Sequence, residues 1–135
     1  MTVFTDAELT YLRGQRLARL ATTGPDGAPQ VRPVGFSVDA STGTIDIPGL
    51  RNPGTQKWRN IARDERVAFV VDDMLTDPWQ PRALEIRGTA ELLPDEMPAM
   101  SFPGVQPGVI RIHARRILSY GIDEGAPPAR TVPTG

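Results

Sequence analysis

The spacing of apolar and polar residues changes several times along the chain, and each change predicts an element. Thr5 followed by Glu8 predicts a capping box opening a helix over residues 6–13, which Gly14 stops. "RLARLATT" (16–23) and "APQVRPVGFSVD" (28–39) flank "GPDG", whose Asp26-Gly27 pair predicts a tight hairpin. "ASTGT" turns the chain into a further strand, "TIDIP" (44–48). Residues 55–63 read as a short helix with Trp58, Ile61 and Ala62 facing inward. "RVAFVVDD" (66–73) is the most apolar run and predicts a central strand, followed by "DMLTDPWQP", read as a loop carrying Trp79. In "ALEIRGTAEL" apolar and small residues alternate with charged and polar ones, the signature of a half-exposed strand. Four prolines break residues 94–108 and exclude a regular element there. "VIRIHARRILSYGID" (109–123) predicts one long strand or two short ones. The end, "EGAPPARTVPTG", has no apolar period. The expected organisation is one domain over 1–123 and a flexible C-terminal tail over 124–135.

Six or seven strands arrive in runs joined by turns, with two short helices between them. That order predicts a mainly β fold, a small antiparallel barrel rather than a doubly wound nucleotide fold. It decides one ambiguous stretch, "GLRNPGTQKWRN" (49–60). Gly49 and Gly54 have the spacing of a phosphate-binding P-loop, but Thr55, Gln56 and Lys57 follow where Lys then Ser or Thr is required. Spacing and fold class both exclude a nucleotide hydrolase.

Composition narrows the chemistry. The 135 residues suffice for a single core, and 39% hydrophobic with 23% charged residues describes an ordinary globular protein. A net charge of −1 gives no case for nucleic acid as a partner. Cysteine is absent, which removes disulfides and thiolate catalysis. No leader-like start and no apolar run of membrane-spanning length are present, so a cytoplasmic protein without a membrane partner is expected. The single histidine, His113, has no second histidine with which to hold a metal, and a surface or interface role is expected for it. Asp72 and Asp73 are neighbours in a strand and point to opposite faces, so they cannot share a proton. Of fifteen basic residues only Lys57 is lysine.

Two stretches in order, "LATTGPDGAPQVRPVGF" and "KWRNIARDERVAFVVDD", resemble the split-barrel flavin and deazaflavin reductase superfamily, typified by pyridoxamine 5′-phosphate oxidase. "TDPWQPRALEIRGTAEL" and "VIRIHARRILSYGID" are similar to its small actinobacterial branch that uses the deazaflavin F420. That branch includes reductases of dehydrotetracycline-type intermediates in antibiotic biosynthesis. The resemblance spans roughly residues 4–123. It implies a six-stranded antiparallel split β-barrel with short helices, a homodimer, and cofactor sites at the dimer interface.

The resemblance also implies a site. The loop and helix around residues 49–60 would bind the cofactor phosphate, since a helix N-terminus supplies free N–H groups and a favourable dipole. Thr55 sits at the cap, Lys57 in the first turn, and Asn60 three residues on, hence on the same helical face. Arg51 is a further clamp; Gln56 and Arg59 face solvent. In "QVRPVGF", Pro33 interrupts the ladder and leaves the backbone of Val34 and Gly35 open to a flat ring, while Arg32 meets an anionic tail, a substrate or a surface partner. Trp79 covers the partner's site or packs on its own chain. Tyr120 and Gly121 line the pocket or belong to the core.

The activity this implies is hydride transfer from reduced F420 to an activated C=C or C=N bond of a small organic substrate. In such chemistry the cofactor carries the reactive atom and the protein binds and orients. Two alternatives stay open at this level: an FMN-dependent oxidoreductase, and a non-catalytic protein that binds a flavin, deazaflavin or haem.

Overall fold

The structure is a computed structural model and describes residues 3–133. Its first helix, α1 (Asp6–Arg13), begins at the expected capping box. Thr5 Oγ1 accepts from Glu8 N at 3.2 Å, and Glu8 Oε1 accepts from Thr5 N at 2.9 Å. The strands are β1 (Ala18–Thr23), β2 (Pro29–Val34), β3 (Ser37–Asp39), β4 (Thr44–Ile47), β5 (Arg66–Thr76), β6 (Trp79–Leu93), β7 (Val109–Tyr120) and β8 (Ala129–Thr131). The second helix, α2 (Gln56–Arg63), lies between β4 and β5.

All pairings are antiparallel, in the order β2-β1-β5-β6-β7-β4-β3, with β8 added on β7. The two ends of this order, β2 and β3, are consecutive in the chain and separated only by Gly35 and Phe36. So short a link spans roughly 10 Å at most. The sheet must therefore curl until its outer strands meet, and it closes as a barrel whose seam has no ladder: a split barrel. Inside it Leu20, Phe69, Ile86 and Ile117 are buried from four successive strands. Phe36, in the seam, packs edge-on against Phe69 with ring centres 5.3 Å apart. Each such side chain contributes about 1.5–3 kcal/mol by leaving water. Ile61 of α2 is buried and Trp58 half-buried against this core, while Ala62, expected inside, is exposed.

Eight strands stand where six or seven were expected, for two reasons. The predicted strand 28–39 is divided by Gly35-Phe36 into β2 and β3. The tail is the second reason, and here the expectation of a flexible 124–135 needs correction. Residues 129–131 pair with β7, Val132 is buried, and Arg130 reaches the carboxylate of Glu8 at 2.5 and 2.9 Å. The tail shows no apolar periodicity because a short ladder, one buried valine and an ion pair to a buried carboxylate hold it. Residues 134–135 lie outside the described residues.

The stretch "DMLTDPWQP" is likewise not a loop. β5 and β6 continue to pair as far as Thr76 opposite Trp79, with only Asp77 and Pro78 between them. β1 pairs with β5 only through Val70, and β7 reaches β6 only to Ala83. Beyond those points the hairpin is a two-stranded arm, with no third strand beside it among the described residues. Pro81 costs at most one bond there, which is why a proline-bearing segment can still form a strand.

The run 109–123, open between one strand and two, forms one long strand, β7, as far as Tyr120, and residues 121–123 lie beyond its end.

Candidate functional site

The motif at 49–60 folds as a short 3-10 turn (Asn52–Gly54) leading into α2. Its centre is Asn52, which is buried and donates through Nδ2 to the carbonyls of Ile47 at 2.9 Å and Gly108 at 3.0 Å. Gly49 is required by this arrangement: a Cβ there would lie 2.3 Å from Asn52 Oδ1. A Cβ on Gly54 would meet nothing. The P-loop-like spacing is thus one structural glycine and one tolerant one.

Thr55 caps α2. Its hydroxyl donates to Asn52 O at 2.7 Å and accepts from Trp58 N at 3.3 Å, so the side chain is spent on the turn. Thr55 N donates to Asn52 O and Arg59 N to Thr55 O. Among the described residues the N–H groups of Gln56 and Lys57 have no protein acceptor. The helix therefore presents two free amides at the positive end of its dipole.

Lys57 is half-buried beside them. Burial, and then the nearby Arg32 guanidinium, hold its ammonium below the usual lysine pKa. No carboxylate pairs with Lys57 or Arg32 among the described residues. Lys57 thus feels a second positive charge from Arg32 and has no counter-ion, on a helix whose first two amides are free.

Asn60 does not join this cluster. It is fully buried, and its Nδ2 donates to Thr22 Oγ1 at 3.0 Å and to Gln30 Oε1 at 2.8 Å. Its Oδ1 accepts from Gln56 at 2.8 Å. Asn60 fastens α2 to β1 and β2 and so fixes where Lys57 stands. Gln30 and Thr22, its partners, carry no sequence signal that would have singled them out. Arg51 is exposed and lines a separate concavity of about 540 Å³ with Pro53, Gly54 and Gln106. Arg59 folds back over its own helix, donating to Gly54 O at 3.1 Å and Gln56 Oε1 at 3.0 Å.

Arg32, Pro33 and Val34 lie on β2, which bonds only to β1 and leaves its far side as an open edge. Arg32 and Pro33 are exposed and Val34 is buried. Gly35 follows at the seam, where a Cβ would meet nothing within 4 Å. The backbone is therefore approachable at Gly35, on the strand that carries Arg32.

Trp79 stands at the tip of the arm, 69% exposed, with Met74 and Leu75 also exposed on the arm. At the arm's base Asp73 accepts from Arg82 at 2.5 and 2.9 Å, from Tyr11 at 3.1 Å and from Gln15 at 3.1 Å. The Arg82 hydrogen bonds hold the Asp73 carboxyl below its usual pKa, and burial with Asp73 alongside pushes the Tyr11 phenol up. Asp72 faces the other way, toward Arg19 at 3.9 Å. Tyr120 is exposed, and Gly121 adopts φ +73°. His113 pairs with Glu91 at 2.9 Å on the surface.

Comparison with known proteins agrees with this architecture. The chain is 46% identical over 121 residues to a 5a,11a-dehydrotetracycline/5a,11a-dehydrooxytetracycline reductase of Streptomyces rimosus, covering 89% of this chain and 84% of that one. A conserved hypothetical protein from Mycobacterium tuberculosis superposes with a TM-score of 0.67 at 24% identity, over 89% of this chain and 86% of that chain. A structure described as an F420 reductase gives 0.58 at 25% identity, over 76% and 88%. Residues 4–128 match the sequence profile of the family described as pyridoxamine 5′-phosphate oxidase. With that match over nearly the whole barrel, the chain belongs to the pyridoxamine 5′-phosphate oxidase family.

Proposed function

We propose that this protein is an F420-dependent reductase acting on an activated C=C or C=N bond of a small organic substrate, as a homodimer with cofactor sites between the subunits. The observation that carries the reading is the unpaired Lys57–Arg32 couple at the free amides of α2. A cofactor phosphate fits that place: it brings the missing negative charge and accepts from the Gln56 and Lys57 N–H groups. When bound, a reduced deazaflavin supplies the hydride.

The chain's own groups bind and orient. Lys57 and Arg32 neutralise the phosphate, and Asn60 holds α2 at the correct height against β1 and β2. The open backbone at Gly35 meets the polar edge of a ring. The arm carrying Trp79, whose apolar tip is exposed, reaches the second subunit. A conjugated polycyclic substrate is favoured by the relative's activity toward dehydrotetracyclines.

The test mixes the protein with chemically reduced F420 and a 5a,11a-dehydrotetracycline under anaerobic conditions. Fluorescence of oxidised F420 should recover in proportion to substrate consumed. Recovery no faster than in protein-free controls would remove the activity. Protein that emerges with stoichiometric FMN which F420 cannot displace would move the assignment to the flavin.

A further inference from the structure

The outer wall of the barrel carries arginines that hydride transfer does not use. Arg66 on β5, Arg87 on β6 and Arg115 on β7 rim a concavity of about 550 Å³ that Ala21, Ala68 and Gly88 also line. Arg116 follows Arg115 and stands directly across the ladder from Arg87. Like charges facing one another across a ladder repel. Arg66 and Arg87 are each held by a carboxylate, Asp64 at 2.7 Å and Glu85 at 2.6 Å. Arg115 and Arg116 form no ion pair among the described residues. Their only acceptors are neutral, Ala114 O at 3.4 Å and Thr131 Oγ1 at 3.2 Å.

The backbone is specialised at the same place. The β6–β7 register shifts between Arg87 and Gly88, which makes Arg115 the extra residue of a bulge. A Cβ on Gly88 would lie 2.0 Å from the His113 carbonyl oxygen, so only glycine admits this approach. Alternation along β7 breaks there as a result: Ala114 and Ile117 are buried, while Arg115 and Arg116 are both exposed. Bulges re-aim side chains in this way. Here the device places two consecutive guanidiniums on one face against a cross-strand repulsion.

We infer that this concavity binds a multiply charged small anion, an oligocarboxylate or oligophosphate, through Arg115, with Arg66 and Arg87 on its rim and Arg116 across the ladder from Arg87 adding positive charge beside it. Each guanidinium offers paired N–H donors that match carboxylate and phosphate oxygens, and the hydroxyls of Thr23 and Thr89 line the same hollow. Neither Lys57 nor Arg32 lines it, so the inference stands whether or not F420 is the cofactor.

The test is calorimetric titration of the full chain with triglutamate and, separately, with inorganic pyrophosphate. Saturable binding of at least one is expected, weakening as salt is raised. Preference for triglutamate would identify an extended carboxylate chain as the occupant, and preference for pyrophosphate a compact polyphosphate; either supports the site. Arg115→Gln should weaken binding about tenfold, the scale of one charge-assisted contact. Arg13→Gln removes the same charge from the end of α1, away from the hollow, and should leave binding unchanged. If Arg115→Gln does not give a native melting curve, Arg66→Gln, on the rim of the same hollow, carries the same comparison. Absence of binding to both anions, or an equal loss in the Arg13 variant and the variant at the hollow, would overturn the inference.

Discussion

Arg130 and Glu8, 122 positions apart in sequence, form an ion pair in which the carboxylate is wholly buried and accepts at 2.5 and 2.9 Å. Glu8 also closes the capping box of α1, so one side chain secures the first helix and the last strand together. Removing Arg130 would strand a buried charge. Arg130→Gln is expected to cost about 3–5 kcal/mol in urea unfolding, the range for breaking a buried pair from one side. Deletion of residues 129–135 should cost at least as much. A loss under 1 kcal/mol would mean that β8 is not fastened as described.

The two glycines of the 49–54 stretch should behave differently. Gly49→Ala forces Asn52 away and endangers two buried hydrogen bonds, so about 2–3 kcal/mol should be lost. Gly54→Ala has open space and should change stability by no more than about 0.5 kcal/mol. Thermal melts of the two variants check this directly. Equal effects would contradict the assignment of Asn52 as the turn's anchor.

These cases also mark what could be read from the residues alone. Both helices were legible because their signals are local: a capping box at Thr5–Glu8, and Thr55 ahead of an apolar spacing. The barrel strands were legible through alternation. The arm and β8 were not, because the arm depends on having no third strand beside it and β8 depends on a carboxylate in another helix. For the site, Lys57 and Arg32 could be named, but their convergence depends on how α2 sits on β2. Asn60 shows the limit: helical spacing put it on the Lys57 face, yet Thr22 and Gln30 claim its amide.

Trp79 is expected to matter for association and not for folding. Trp79→Ala should shift stability by no more than about 0.5 kcal/mol, because the indole is exposed. It should raise the monomer fraction in sedimentation velocity at micromolar protein. Unchanged sedimentation would leave the arm without a role between subunits.

If Lys57 holds the cofactor phosphate as proposed, its lowered pKa gives binding a pH dependence with a definite sign. The free site loses its ammonium charge at a pH below the usual lysine range, with burial the main cause and Arg32 the second. F420 affinity should therefore fall as pH rises through that value, and Lys57→Arg, which stays charged, should flatten the profile. Because the folded value lies below the unfolded one, the free protein should gain stability over the same rise. An identical profile in the Lys57→Arg variant would place the titrating group elsewhere.

The central claim is that the N-terminus of α2, with Lys57 and Arg32, holds the cofactor phosphate. Titration of F420 fluorescence with wild-type protein and with Lys57→Ala tests it most directly. The account predicts saturable binding that weakens by about 1.5–3 kcal/mol in the variant, the scale of one charge-assisted hydrogen bond. Affinities within twofold of one another would contradict it and leave Lys57 without a part in holding the cofactor.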